Sequence, residues 1–313
     1  MKGLELAKKY YMQFGAPMID QQFPKLASVI AVGLVGSGSE CYGFDDEISL
    51  DHDFEPGFCL FVPDESVIDR QTAFALERAY AKLPHEFMGY TRQTIQPVGG
   101  SRHGVIRIAD FYKDKIGYTD GPRTLYDWFT IPEYALAEAT NGEVFRDDSG
   151  IFSGIREKLL HIPLDVRKKK LAGHLLLMAQ SGQYNYTRCL QHKETAAAQL
   201  ALYEFVEHVT SAMFLLNQKF APFYKWRFRA LRNLNQTTKM ADDLEFLISS
   251  PNNEANADKK QKIITDIVNV VVNELRKQQL STIPDTELTL HAYDLNRSIS
   301  DSHLRNEHIL FGV

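Results

Sequence analysis

The chain has 313 residues, with 35 lysines and arginines against 40 aspartates and glutamates, a formal net charge of -5. That length has room for two domains with separate cores, and the acidic balance argues against tight, non-specific binding to nucleic acid. Three scattered cysteines form neither a disulfide framework nor a zinc motif and fit a reducing cytoplasm. The start MKGLELAKKYYMQFG lacks the apolar run of a secretory signal. No apolar stretch reaches the roughly 18 residues that span a bilayer. The expected location is therefore the cytoplasm, with no membrane partner.

The first element is SVIAVGLVG, a β-branched apolar run ending in glycine, which predicts a buried strand feeding a tight turn, GSGSE. After an acidic stretch, PGFCLFVP reads as a second strand bounded by prolines. ESVIDRQTAFALERAYAKLP has helical spacing, with Val67, Phe74, Leu76 and Tyr80 among its apolar positions and Pro84 as a stop. GVIRIADFY is a third strand candidate. Strands alternating with helices predict an α/β domain over residues 1–150.

From about residue 153 helical signals dominate, and 151–313 is expected to be a helical bundle domain. Its longest segment, ETAAAQLALYEFVEHVTSAMFLLNQKF, carries Leu200, Tyr203, Val206, Met213 and Leu216 at helix-face spacing. SSPNNEANADKK reads as an exposed loop, and KQKIITDIVNVVVNELRKQQL as a further amphipathic helix. The fold class expected is α+β, a mixed sheet with helices followed by a helical bundle.

The chemistry concentrates in VGSGSECYGFDDEISLDHDF. On a strand, residues i and i+2 share a face, so Asp51 and Asp53 would project side by side with His52 turned away, either supporting the ligands from behind or packed, rather than ligating. Paired carboxylates suit a divalent cation such as Mg2+, which is bound through one or two carboxylates plus substrate phosphates and water. A Gly-Ser turn at the mouth of a strand offers N–H groups and a hydroxyl to phosphate. Each motif alone is a weak signal, since Gly-Ser turns and Asp-x-Asp pairs are common in solvated loops. Their order, with 13 residues between Ser37 and Asp51 and an apolar strand beside each, is more specific.

At Val35, Gly36, Ser37, Asp51 and Asp53 the sequence resembles the nucleotidyltransferase superfamily, the polymerase-beta-like group that includes antibiotic-modifying nucleotidyltransferases. More closely, GSGSECYGFDDEISLDHDF, RHGVIRI, WFTIPEYALAEATNGEVF, FAPFYKW and LRNEHILFGV are similar to an uncharacterised bacterial branch, domain of unknown function 4037, over nearly the whole chain. The resemblance implies a nucleotidyltransferase-like α/β domain and a helical domain contributing to an interdomain cleft. It also implies magnesium-dependent transfer of a nucleoside monophosphate from a nucleoside triphosphate, ATP first among them, to an unknown acceptor hydroxyl. Asp51 and Asp53 would hold Mg2+, and Gly36 with Ser37 would hold the β- and γ-phosphates. The usual third carboxylate is missing, because HGVIRI has Ile106 and Arg107 where this branch commonly has an acid. Asp110 would replace it if the strand reaches that far, or else would cap the helix that FYKDKIG begins.

By the same resemblance Lys225 in FAPFYKW would neutralise the leaving pyrophosphate; the alternative is an exposed lysine packed on Tyr224 or Trp226. Arg188 and Glu194, in a polar interruption between helices, are weaker substrate candidates, and most such interruptions are turns. The run RKKK at 167–170 would attract an anion, or form a solvated helix face, which is the commoner case. A second class of function stays open: a nucleotide-binding or regulatory module that has lost turnover.

Overall fold

The computed structural model describes residues 1–48, 54–92, 103–234 and 237–313. It is an α+β structure that divides into two compact units, Met1–Arg123 with Tyr134–His161, and Thr124–Glu133 with Ile162–Val313.

The first unit opens with helix α1 (Gly3–Tyr10), which passes through a π-helical turn, Tyr11–Gly15, into α2 (Ala16–Gln22). Then follow β1 (Ala31–Leu34), α3 (Ser39–Tyr42), β2 (Cys59–Val62), α4 (Arg70–Ala81) and a hairpin of β3 (Glu86–Phe87) and β4 (Tyr90–Thr91). Next are β5 (Gly104–Arg107), α5 (Ile108–Ile116), α6 (Glu133–Thr140), β6 (Glu143–Arg146) and α7 (Ile151–Leu160). The main sheet has the order β5-β2-β1-β6. β1 runs antiparallel to β2, with Gly33 opposite Cys59, and β2 runs parallel to β5, with Cys59 opposite Gly104 and Val62 opposite Arg107.

Both central strands are buried at every position, which is why they read as unbroken apolar runs. Alternation sorts their side chains. Phe58, Leu60 and Val62 pack with Tyr10 of α1, Tyr11 of the π-helical turn, Ile19 of α2 and Leu76 of α4. Phe61 points the other way, stacked on Phe152 of α7 at 4.1 Å and edge-on to Phe111 of α5 at 5.1 Å.

The second unit holds a short 3-10 turn, Tyr126–Phe129, then α8 (Leu164–Met178), a π-helical segment Ala179–Asn185, α9 (Tyr186–Gln191), α10 (Thr195–Leu216), α11 (Tyr224–Arg232), α12 (Thr238–Ser249), α13 (Glu254–Lys277), α14 (Leu288–Arg297) and α15 (Ser302–Asn306). One core runs through it, with Leu175, Leu202, Phe205, Leu244, Val271 and Leu295 all fully buried. No helix among the described residues is long and apolar enough to cross a membrane.

Four local expectations are corrected. The third strand stops at Arg107, and IADFY belongs to α5, whose buried Ile108, Phe111, Tyr112 and Ile116 recur at helical spacing. Most of SSPNNEANADKK is helix, because Asn253 caps α13 by accepting the Asn256 N–H at 3.1 Å. Leu200 and Tyr203 of α10 and Val67 and Phe74 near α4 are exposed, while Leu202, Phe205, Val206 and Val209 form the packed face of α10. RKKK is not a solvated face: Arg167, Lys169 and Lys170 are buried. Lys169 donates to Asn296 Oδ1 at 2.9 Å and to the Glu307 carbonyl at 2.7 Å, acceptors supplied from the far C-terminal end of the chain.

Candidate functional site

The chain leaves β1 at Leu34 into the Gly-Ser turn. Gly36 and Gly38 have φ of +111° and +134°, a region that a side chain disfavours, so glycine is required on both sides of Ser37. Asn141, immediately after α6, fastens the turn twice. It accepts the Gly36 N–H at 2.8 Å and donates its own amide to the Gly36 carbonyl at 2.7 Å. Arg156 of α7 steadies this clamp from behind, donating to the carbonyls of Asn141, at 2.5 Å, and Gly142.

Ser37 does not stand alone. Its hydroxyl donates to Glu138 Oε2 at 2.7 Å and accepts from Lys115 Nζ at 2.8 Å, and Lys115 is also 3.0 Å from Glu138 Oε2. The Lys115 and Glu138 side chains are 18% and 19% exposed, enough for water or a ligand to reach them. Glu138 lies in the last turn of α6 and Asn141 just after its end, so one short stretch of chain supplies both. α5 brings Lys115 to the turn from its last turn, and the stem of Lys115 lies against Gly36, 3.6 Å from where a side chain would begin.

The same geometry removes Asp110 from this end of the sheet. β5 is parallel to β2, so α5 starts beside Val62, whereas the Gly-Ser turn follows the end of β1 that pairs with Cys59. α5 then spans about 13 Å on its way back. Asp110 lies exposed in its first turn, not on the strand and not at the N-cap, which is Arg107. There it complements the helix dipole, worth roughly 0.5 kcal/mol. The condition for Asp110 to act as the third carboxylate is not met.

Asp51, His52 and Asp53 lie outside the described residues. Just beyond them, Phe54 packs on Tyr90 at 4.8 Å, and Glu55 meets His103 Nδ1 at 3.0 Å in front of β5. Among the described residues no cluster of three His, Cys, Asp or Glu side chains could hold a metal ion.

Lys225, in the first turn of α11, is exposed with its ammonium 5.2 Å from the Trp226 ring centroid, the contact that an exposed lysine packed on its neighbour would make. Arg188 and Glu194 are also exposed, Arg188 lying over the Tyr184 ring at 5.0 Å.

The second unit carries a buried ionisable group of its own. His174 Nδ1 and His208 Nδ1 are 3.0 Å apart, so one ring donates to the other. Burial first, then His208, Lys170 and Arg227, hold His174 well below the usual histidine range, and burial also lowers His208. Lys170 lies 3.8 Å from Glu133, whose carboxyl burial pushes upward, and Arg227 pairs with Glu207 at 3.0 Å. In the unfolded chain both histidines take up protons near pH ~6.5, before the folded chain does. Their contribution to stability is therefore full above that pH and lost as pH falls below it, by up to about 1.4 kcal/mol per pH unit per proton. Urea unfolding of His174→Gln at pH 7.5 and 5.5 should show a flatter decline than the wild type. Glu133 has the opposite slope, so the comparison with the variant decides, and identical slopes would remove the assignment.

Residues 128–227 match the family model described as Domain of unknown function (DUF4037). That match supports the likeness to this family over a stretch holding Glu138, Asn141, the paired histidines and FAPFYKW. No curated protein and no solved structure matches the chain.

Sequence reading missed Lys115, Glu138, Asn141, Glu55 and His103. His103, Glu138 and Asn141 fall within RHGVIRI and WFTIPEYALAEATNGEVF, stretches that carried the family resemblance without marking any of the three as functional, and Lys115 and Glu55 lie in none of those stretches. Glu138 and Asn141 lie more than 100 positions from the turn they hold.

Proposed function

We propose that the protein is a magnesium-dependent nucleotidyltransferase, moving a nucleoside monophosphate from a nucleoside triphosphate, ATP first among them, to a hydroxyl of an acceptor. The observation that carries this reading is the Gly36–Ser37 turn. It leaves a fully buried central strand, is locked by Asn141, and has an ammonium on its hydroxyl, a placement suited to polyphosphate. The sheet adds support. β1 and β2 are antiparallel neighbours, so the exit of β1 into the turn and the entry of β2, which the Asp51–Asp53 stretch precedes, are at one end.

In this reading Gly36 and Ser37 hold the β- and γ-phosphates, Asp51 and Asp53 hold Mg2+, and Lys225 meets the leaving pyrophosphate. The paired acids have the oxygen chemistry magnesium takes, and the ion would supply charge neutralisation at the phosphates. The protein's own share is positioning of the triphosphate by a rigid turn. No general base is assigned.

Purified protein incubated with magnesium, labelled nucleoside triphosphates and cell extract should yield a labelled product that Asp51→Ala fails to make. Equal labelling by the variant would refute the reading. One observation favours a second reading, a nucleotide-binding module without turnover: the third core strand carries Ile106 and Arg107, and Asp110 lies on the helix beyond it. Thermal stabilisation by nucleotide with no pyrophosphate release, across a broad acceptor screen, would select that one.

A further inference from the structure

The geometry points to Lys115 as the phosphate-binding cation of the Gly36–Ser37 turn, with Glu138 as its resting counter-ion, displaced when a polyphosphate arrives. This rests on the nucleotide reading above and adds to it a pair of residues to which no motif assigned a role.

Ser37 has one hydroxyl proton, and Glu138 takes it at 2.7 Å. A phosphate oxygen that bonds to Ser37 must take that proton instead, so phosphate and Glu138 compete for the same donor. They also repel each other, because two anions would then face one hydroxyl. Lys115 has the opposite relation to the ligand. Its ammonium is 2.8 Å from the Ser37 oxygen, so an anion held by that hydroxyl lies within reach of it. Of its three protons, one goes to Ser37 and one to Glu138; among the described residues no third hydrogen bond is made, Asp114 being 3.9 Å away. The stem lies along Gly36, so the ammonium can swing between carboxylate and ligand without moving the backbone. Asn141 meanwhile keeps the turn fixed.

The two partners of one ion pair should therefore affect binding in opposite directions. Calorimetric titration of the full chain with inorganic tripolyphosphate, and with ATP in the presence of magnesium, is the test. Lys115→Gln should weaken both affinities about tenfold or more, the size of one charge-assisted hydrogen bond. Lys115→Arg, which keeps the charge, should stay within a few-fold of wild type and guards against a loss caused by misfolding. Glu138→Gln should bind several-fold more tightly, since it removes the competing anion and keeps the shape. A purely structural pair would weaken binding in both variants, and that result, or unchanged affinity in Lys115→Gln, overturns the assignment while leaving the nucleotide reading intact. If the wild type binds neither probe at millimolar concentration, both fail together.

Discussion

Gly142→Ala is expected to lower the free energy of unfolding by roughly 3–5 kcal/mol and to loosen the Gly-Ser turn with it. Gly142 sits at φ +64°, and its N–H donates to the Cys41 carbonyl at 2.9 Å. A methyl group there would overlap the carbonyl oxygen of Leu34 and come within 3.0 Å of the Val35 Cα. Both obstacles are backbone at the end of β1, which cannot rotate aside as a side chain can. The left-handed conformation by itself costs alanine only about 1 kcal/mol. Gly117 isolates that part, since its φ is +80° with open space around it. Gly117→Ala should thus lose about 1 kcal/mol, and the difference between the two variants measures the clash. Because Asn141 is the neighbouring residue, a shift at Gly142 also moves the clamp on Gly36, and tripolyphosphate binding should weaken in Gly142→Ala but not in Gly117→Ala. A urea midpoint for Gly142→Ala equal to that of Gly117→Ala would contradict this account.

Lys260→Met should cost about 3 kcal/mol. Lys260 is completely buried, and its ammonium donates to the carbonyls of Leu247 at 3.0 Å and Ser250 at 2.7 Å and to Asn252 Oδ1 at 2.8 Å. It satisfies the end of α12 from inside α13, and burial lowers its pKa. Two effects oppose each other in the variant. Methionine removes the cost of keeping a charge out of water, which is stabilising, but it leaves three acceptors unpaired at roughly 1–3 kcal/mol each. Three orphaned acceptors outweigh one relieved charge, so the net sign is destabilising. Lys239→Met, at an exposed position of α12, should stay within about 0.5 kcal/mol of wild type. Equal urea midpoints for the two lysine variants would show that the bonds of Lys260 contribute nothing.

The elements that could be read in the sequence are those whose environment is uniform along the chain. The strands within SVIAVGLVG and PGFCLFVP, Ala31–Leu34 and Cys59–Val62, are buried on both faces, so no position in them is polar, and such a run announces a central strand without any partner being known. GVIRIADFY failed as one strand because its first half is β-branched while its second half begins a period of three and four, Ile108, Phe111, Tyr112, that becomes clear only when followed to Ile116. In α10 about two thirds of the residues are apolar, so periodicity has little to select, and which side is packed depends on the neighbouring helices.

The acidic pair at 51 and 53 and the glycines around Ser37 are local chemistry: carboxylate charge and φ freedom belong to residue types, and the sequence by itself determines them. Whether a charge is solvated or buried is not local. Lys169 and Lys170 look like a surface run until acceptors 127 and 138 residues onward, and the carboxylate of Glu133, come to meet them. Lys115 and Glu138 likewise become a pair at the turn only because β5 runs parallel to β2, so that α5 must return along the sheet and end where β1 ends. Tertiary structure alone decides such sites, since a hydrogen bond fixes a distance in space and leaves the distance along the chain free.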